Sequence, residues 1–196
     1  MNLENKHPII ILIGGKAGSG KTTLAAYLKE LLEESKKEVI ISPYTKYLKQ
    51  YIETITGEKI TEENKPREFL QKLSSELIKK KLGFKNLFID RQIEDITIYS
   101  YFKDIIIIPD VRFPKEIEEI KNKFKNVYSI GINRIDFQST LTKEQQQDIT
   151  ETSLDNYKEY DYFIENKKET NLKEEAKKII NILERRKKVW IKSLQL

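Results

Sequence analysis

An apolar run, Pro8 to Ile13 (PIIILI), breaks into a glycine-rich stretch, Gly14 to Leu24 (GGKAGSGKTTL), and an amphipathic segment follows. This succession constrains the fold more than any other feature. The apolar run reads as a buried strand. From Thr22 to Glu34, Leu24, Leu28, Leu31 and Leu32 form one stripe, as a helix packed on that strand requires. Between them, Gly15 to Thr22 carries the spacing G-x-x-x-x-G-K-T. Glycines at those positions let the backbone bend until successive N–H groups point inward, and a helix N-terminus adds its partial positive charge. A strand, turn and helix of this kind make a cradle for phosphate.

Four further β-type runs follow: Glu38 to Ile41, Ile105 to Ile108 closed by Pro109, Val127 to Ile132, and roughly Tyr160 to Ile164. They are continuous rather than alternating, which suits parallel strands covered on both faces. Pro114 to Phe124 reads as a helix, with Ile117, Ile120 and Phe124 in line and Pro114 at the first turn. Leu172, Ala176, Ile179, Ile180 and Leu183 mark another, with Asn171 as a candidate N-cap. Residues 45–102 hold no good strand and read as mostly helical. The expected class is therefore α/β, with a five-stranded parallel sheet flanked by helices and a long helical insertion at the carboxyl ends of the strands.

Length and composition fit one domain, residues 1–196. Of the 196 residues, 38% are hydrophobic, enough for a substantial core. The net charge of +5 helps attract anions but gives no strong argument for nucleic acid. The absence of cysteine excludes disulfides and thiolate metal sites. The apolar runs are too short to span a bilayer, and MNLENKHP lacks a signal-peptide pattern, so a soluble cytoplasmic protein without membrane contact is the expectation.

Gly15, Ala17, Gly18, Ser19, Gly20, Lys21, Thr22 and Thr23 are the candidate nucleotide-binding residues. Lys21 would reach the β- and γ-phosphates of ATP, and the Thr22 hydroxyl would ligate Mg²⁺. No Asn-Lys-x-Asp segment for reading guanine follows a later strand, so ATP is the expected donor. The run Ile105 to Ile120 (IIIIPDVRFPKEIEEI) puts Asp110 and Arg112 at a strand end before a helix. Asp110 there either holds Mg²⁺ through water, orients an acceptor hydroxyl, or caps the helix. Arg112 either grips phosphate bidentately or forms a surface ion pair.

The P-loop with TTLAAYL, then PREFLQKLSSEL, PDVRFPKEIEEI and ETSLDNYKEYDYFIEN, resembles in this order the phage-type deoxynucleoside monophosphate kinases, within the P-loop nucleoside monophosphate kinase group. The resemblance spans residues 9 to about 185, and D-V-R-F-P-x-E is its most specific part. It implies a P-loop kinase fold and transfer of phosphate from ATP to a (deoxy)nucleoside 5′-monophosphate. By the same resemblance, Arg67 would bind the acceptor phosphate, and Arg112 would bind that phosphate or the one in flight. Arg134 would neutralise the transferring group at the start of a lid, and Lys49 would line the acceptor pocket. Residues 45–102 would form the acceptor wall and 133–153 the lid, although an ordinary solvated loop accounts for the latter composition too. The family's His-x-Ser-Glu pattern reads Asp148-Ile149-Thr150-Glu151 here, with only Glu151 retained and no role carried over. Animal phosphomevalonate kinases share the general pattern, so another phosphomonoester is the alternative acceptor. A P-loop regulatory protein is the alternative of another class.

Other features carry less. His7 reads as a surface residue. ERRKK, residues 184–188, suits the end of a helix. Trp190 and Leu194 either pack the tail or mark a homodimer contact. Tyr44, Tyr47, Tyr51, Tyr99 and Tyr101 read as mostly core or half-buried, with Tyr44 and Tyr47 placed where a base could stack.

Overall fold

A computed structural model describes residues 3–61, 64, 66–136 and 141–193, with the side chains of all but Arg67 and residues 187–193. Five strands form one sheet: β1 (Ile9–Gly14), β2 (Val39–Ile41), β3 (Ile105–Val111), β4 (Val127–Arg134) and β5 (Tyr162–Asn166). Their order across the sheet is β2-β3-β1-β4-β5, and every pairing is parallel. The helices are α1 (Lys21–Glu34), α2 (Thr45–Thr56), α3 (Arg67–Gln71), α4 (Leu87–Tyr99), α5 (Pro114–Lys123), α6 (Lys143–Gln146), α7 (Ile149–Thr152) and α8 (Leu172–Ser193).

The unbroken isoleucine runs follow from burial on both faces. Along β1, Ile11 and Ile13 face the layer of α1 and α8, where they meet Leu24, Leu28, Ala176 and Ile179. Ile10 and Leu12 face the opposite layer, with Leu48, Ile96, Ile117 and Ile120 from α2, α4 and α5. All four strand residues are at most 1% exposed. Burying each such side chain stabilises the fold by about 1.5–3 kcal/mol.

β3 differs from its expected bounds. It does not stop before Pro109 but runs on through Pro109 and Asp110 to Val111. The β1–β3 register shifts between Leu12 and Gly14, so that Gly14 pairs with Val111. Such an irregularity is where a strand can hold a proline, which has no N–H to give the ladder. The extension carries Asp110 and Arg112 to the carboxyl edge beside the end of β1.

The described part of residues 45–102 is mostly helical, as expected, through α2, α3 and α4, with one departure. α3 continues into a π-helical segment, Lys72–Lys81. Leu73 and Ile78, five residues apart, are its buried positions, as i→i+5 winding dictates. α8 begins as anticipated: the Asn171 side chain accepts the N–H groups of Lys173 and Glu174 at 3.0 and 3.3 Å.

Candidate functional site

The loop after β1 bends through glycines that no other residue could replace at two points. Gly15 has φ of 149°, and a Cβ there would lie 2.2 Å from the Ile132 carbonyl oxygen. Gly20 has φ of 105°, and a Cβ would lie 2.8 Å from Asn166 Nδ2. Behind the loop, Asn166 Nδ2, at the end of β5, donates to the Ser19 carbonyl at 2.9 Å. α1 starts at Lys21 with no acidic residue in its first turn, leaving its N-terminal field uncancelled. Lys21 is buried, and its Nζ donates to the carbonyls of Gly15 and Lys16 at 2.7 and 2.6 Å. Ser19 Oγ is buried without a hydrogen-bond partner among the described residues. Thr22 and Thr23 open α1 with exposed side chains.

This cradle fits a polyphosphate, because the buried Ser19 hydroxyl has no partner among the described residues and Lys21 lies across the loop at Gly15 and Lys16. Among the described residues no group of three or more His, Cys, Asp or Glu is arranged to hold a metal ion. A Mg²⁺ ion here would depend on Thr22, on bound phosphates and on Asp110.

Asp110 accepts two main-chain donors of the α2 start, Tyr44 N–H at 2.8 Å and Thr45 N–H at 2.9 Å. It does cap a helix, but that helix is α2 rather than the adjacent α5. Glu116 serves α5: its Oε2 accepts the N–H groups of Arg112 at 2.7 Å and Phe113 at 3.1 Å. It thereby holds the β3–α5 turn. Burial pushes the Glu116 carboxyl up to about 7, against the pull of those two donors and of Lys79. Lys79, from the π-helical segment, sits 4.0 Å from the centre of the Phe113 ring, so the insertion also touches this turn.

Arg112 points at the glycine loop. Its Nη1 donates to the Gly15 carbonyl at 3.3 Å and to the Thr150 carbonyl at 3.4 Å, and lies 2.8 Å from Glu151 Oε2. Its ion pair is with a nearly buried carboxylate beside the loop, not on the open surface. Arg134, at the end of β4, is exposed and lines a cavity of about 200 Å³ with Ala17, Ser19 and Glu151. Lys49 lies half-buried in α2, the helix that Asp110 caps. Arg67 opens α3, but its side chain lies outside the described residues, as do those of Trp190 and Leu194. Tyr44 is a core residue, and Tyr47 donates its hydroxyl to Asp95 at 2.5 Å.

Two residues that no role was assigned to from sequence matter here. Glu116 is the last letter of D-V-R-F-P-x-E, and Glu151 is the retained glutamate of the altered lid pattern. Both signals were in the sequence. Their contacts were not.

A Zeta toxin family model matches residues 2–82, fewer than half of the chain. No curated protein matches the sequence. Solved structures match over most of their length. APS kinase CysC of Mycobacterium tuberculosis, in complex with AMPPNP and APS, is similar at a TM-score of 0.55 and 10% identity, over 91% of this chain and 98% of that one. A sugar kinase of Janibacter sp. HTCC2649 gives 0.54 and 10%, over 90% and 95%. A shikimate kinase of Bacteroides thetaiotaomicron gives 0.50 and 16%, over 90% and 98%. At these identities the likeness establishes the fold, which is that of P-loop kinases.

Proposed function

We propose that this chain is an ATP-dependent kinase that phosphorylates a (deoxy)nucleoside 5′-monophosphate to the diphosphate. One observation carries the reading: an arginine from the end of β3, Arg112, reaches the main chain of the glycine loop at Gly15. A phosphate held by the loop and a second phosphate held by Arg112 would face each other, as phosphoryl transfer between two phosphates requires.

In this reading residues 1–196 act as one kinase domain. Lys21 leaves the carbonyls of Gly15 and Lys16 for the phosphates of ATP, which offer it a full negative charge in place of two dipoles. Gly15 and Ala17 to Thr23 wrap those phosphates. Arg112 and Arg67 hold the acceptor phosphate, with Lys49 in the wall that residues 45–102 supply. Arg134 neutralises the group in transit, and residues 133–153 exclude water. Mg²⁺, when bound, would offset charge on the donor phosphates. Thr22 would ligate it directly. Asp110, whose two oxygens already accept N–H groups, would reach it through water. The order of motifs that resembles phage-type deoxynucleoside monophosphate kinases supports a nucleotide acceptor over phosphomevalonate.

Incubation with Mg-ATP and a panel of nucleoside and deoxynucleoside monophosphates, with phosphomevalonate beside them, tests this. ADP release is expected with at least one nucleotide and not with phosphomevalonate. Release with no nucleotide would overturn the acceptor assignment. Acceptor-independent hydrolysis alone would point instead to a P-loop regulator.

A further inference from the structure

A carboxylate sits where the glycine loop would hold a phosphate. Glu151 Oε2 accepts the Ala17 N–H at 2.7 Å, and the same oxygen lies 2.8 Å from Arg112 Nη1. An amide of the loop and the guanidinium of the β3–α5 turn thus converge on one anionic oxygen, and that oxygen belongs to the protein. Glu151 is 8% exposed. It is delivered by α7, which Asp148 caps through the Thr150 N–H at 2.8 Å. A second tie lies beside it, from Lys16 of the loop to Asp155 at 2.8 Å. Glu151 also lines both cavities at the loop, the one of about 200 Å³ and a larger one of about 440 Å³.

From this geometry we infer that Glu151 is an internal stand-in for phosphate, which closes the segment 149–155 over the loop and must leave when nucleotide binds. The inference rests on the nucleotide reading of the loop proposed above. The physics is competition. The Ala17 N–H can serve one anion at a time, and a carboxylate held there repels an incoming phosphate. Displacement frees Arg112 from Glu151 and leaves it directed at the site where the second phosphate would lie. Nucleotide binding and release of the 149–155 segment are then two sides of one equilibrium, with reciprocal coupling. Glu151 stabilises the unliganded form and weakens nucleotide binding by the same factor.

The test is binding of AMPPNP and of inorganic pyrophosphate to the wild-type chain, Glu151→Gln and Glu151→Ala. Pyrophosphate reads the loop without a base or sugar. Both variants are expected to bind each probe about tenfold more tightly than wild type, within the usual range of such couplings. Unchanged or weaker binding by Glu151→Gln would overturn the inference and leave Glu151 as a brace that shapes the loop. Should Glu151→Ala not fold, Glu151→Gln keeps the shape of the side chain. Hydrogen exchange of the unmodified chain gives an independent readout. Amides of residues 149–155 should exchange faster with AMPPNP bound, and slower or equal exchange would count against displacement. Failure of every form, wild type included, to bind either probe would instead remove the nucleotide reading itself, and this inference with it. A wild type that binds while Lys21→Ala does not keeps that reading intact whatever Glu151 does.

Discussion

Glu116 is buried with its carboxyl shifted from 4.5 up to about 7, chiefly by loss of solvent. Its linkage to folding has a definite sign. Below about pH 4.5 the group is protonated in both states and its contribution to stability is complete. As pH rises through about 7 the folded chain must ionise a buried carboxyl that the unfolded chain ionises freely, and the contribution is lost. The difference amounts to about 3 kcal/mol. Denaturant unfolding from about pH 5 to about pH 8 should therefore show a fall in wild-type stability that Glu116→Gln lacks. Parallel slopes for the two proteins would contradict it. Asp161 works in the opposite sense and in another window. Burial raises its pKa, but the Ser129 N–H and hydroxyl, Lys121 and Arg186 outweigh that and hold it at about 2. Its contribution is present above 3.8 and is lost only as pH falls through about 2, clear of the Glu116 range.

Among the elements, the strands were the most legible. Ile105 to Ile108 could be read as a doubly covered strand because alternate residues serve opposite layers, and all four are at most 4% exposed. Ile107→Ala should cost about 2–5 kcal/mol in chemical unfolding, while Ile55→Ala, on an exposed face of α2, should stay within about 0.5 kcal/mol. Equal effects would show that the sheet core is not where the burial places it. The π-helical segment was not legible, because Leu73 and Ile78 differ from an ordinary stripe by one residue of spacing. The end of β3 was not legible either, because Pro109 reads locally as a stop, and only the register against β1 shows why it is tolerated. The loop after β1 was legible because its constraint is local: glycine positions on a strand–helix junction. Glu151 on Ala17 joins residues 134 positions apart, and Asp110 on Tyr44 joins residues 66 apart. No local pattern encodes such closures. They follow from parallel strands bringing their carboxyl ends to one edge.

At the scale of the molecule, the order β2-β3-β1-β4-β5 sets the glycine loop between the end of β3 and the end of β4. That placement offers Arg112 from one side and Arg134 from the other. A donor phosphate chain in the loop would meet positive charge on both flanks, and the helices of residues 45–102 would supply the acceptor wall. Two anion sites would then face each other across this edge. Binding of a bisubstrate analogue, two adenosines joined through five phosphates, compared with AMPPNP, reads this arrangement most directly in wild type and Arg112→Ala. Wild type should hold the analogue at least about 100-fold more tightly than AMPPNP. Arg112→Ala should lose most of that advantage while its AMPPNP affinity falls by no more than about threefold. Equal affinity of the wild-type chain for both compounds, or loss of AMPPNP binding in Arg112→Ala, would contradict it.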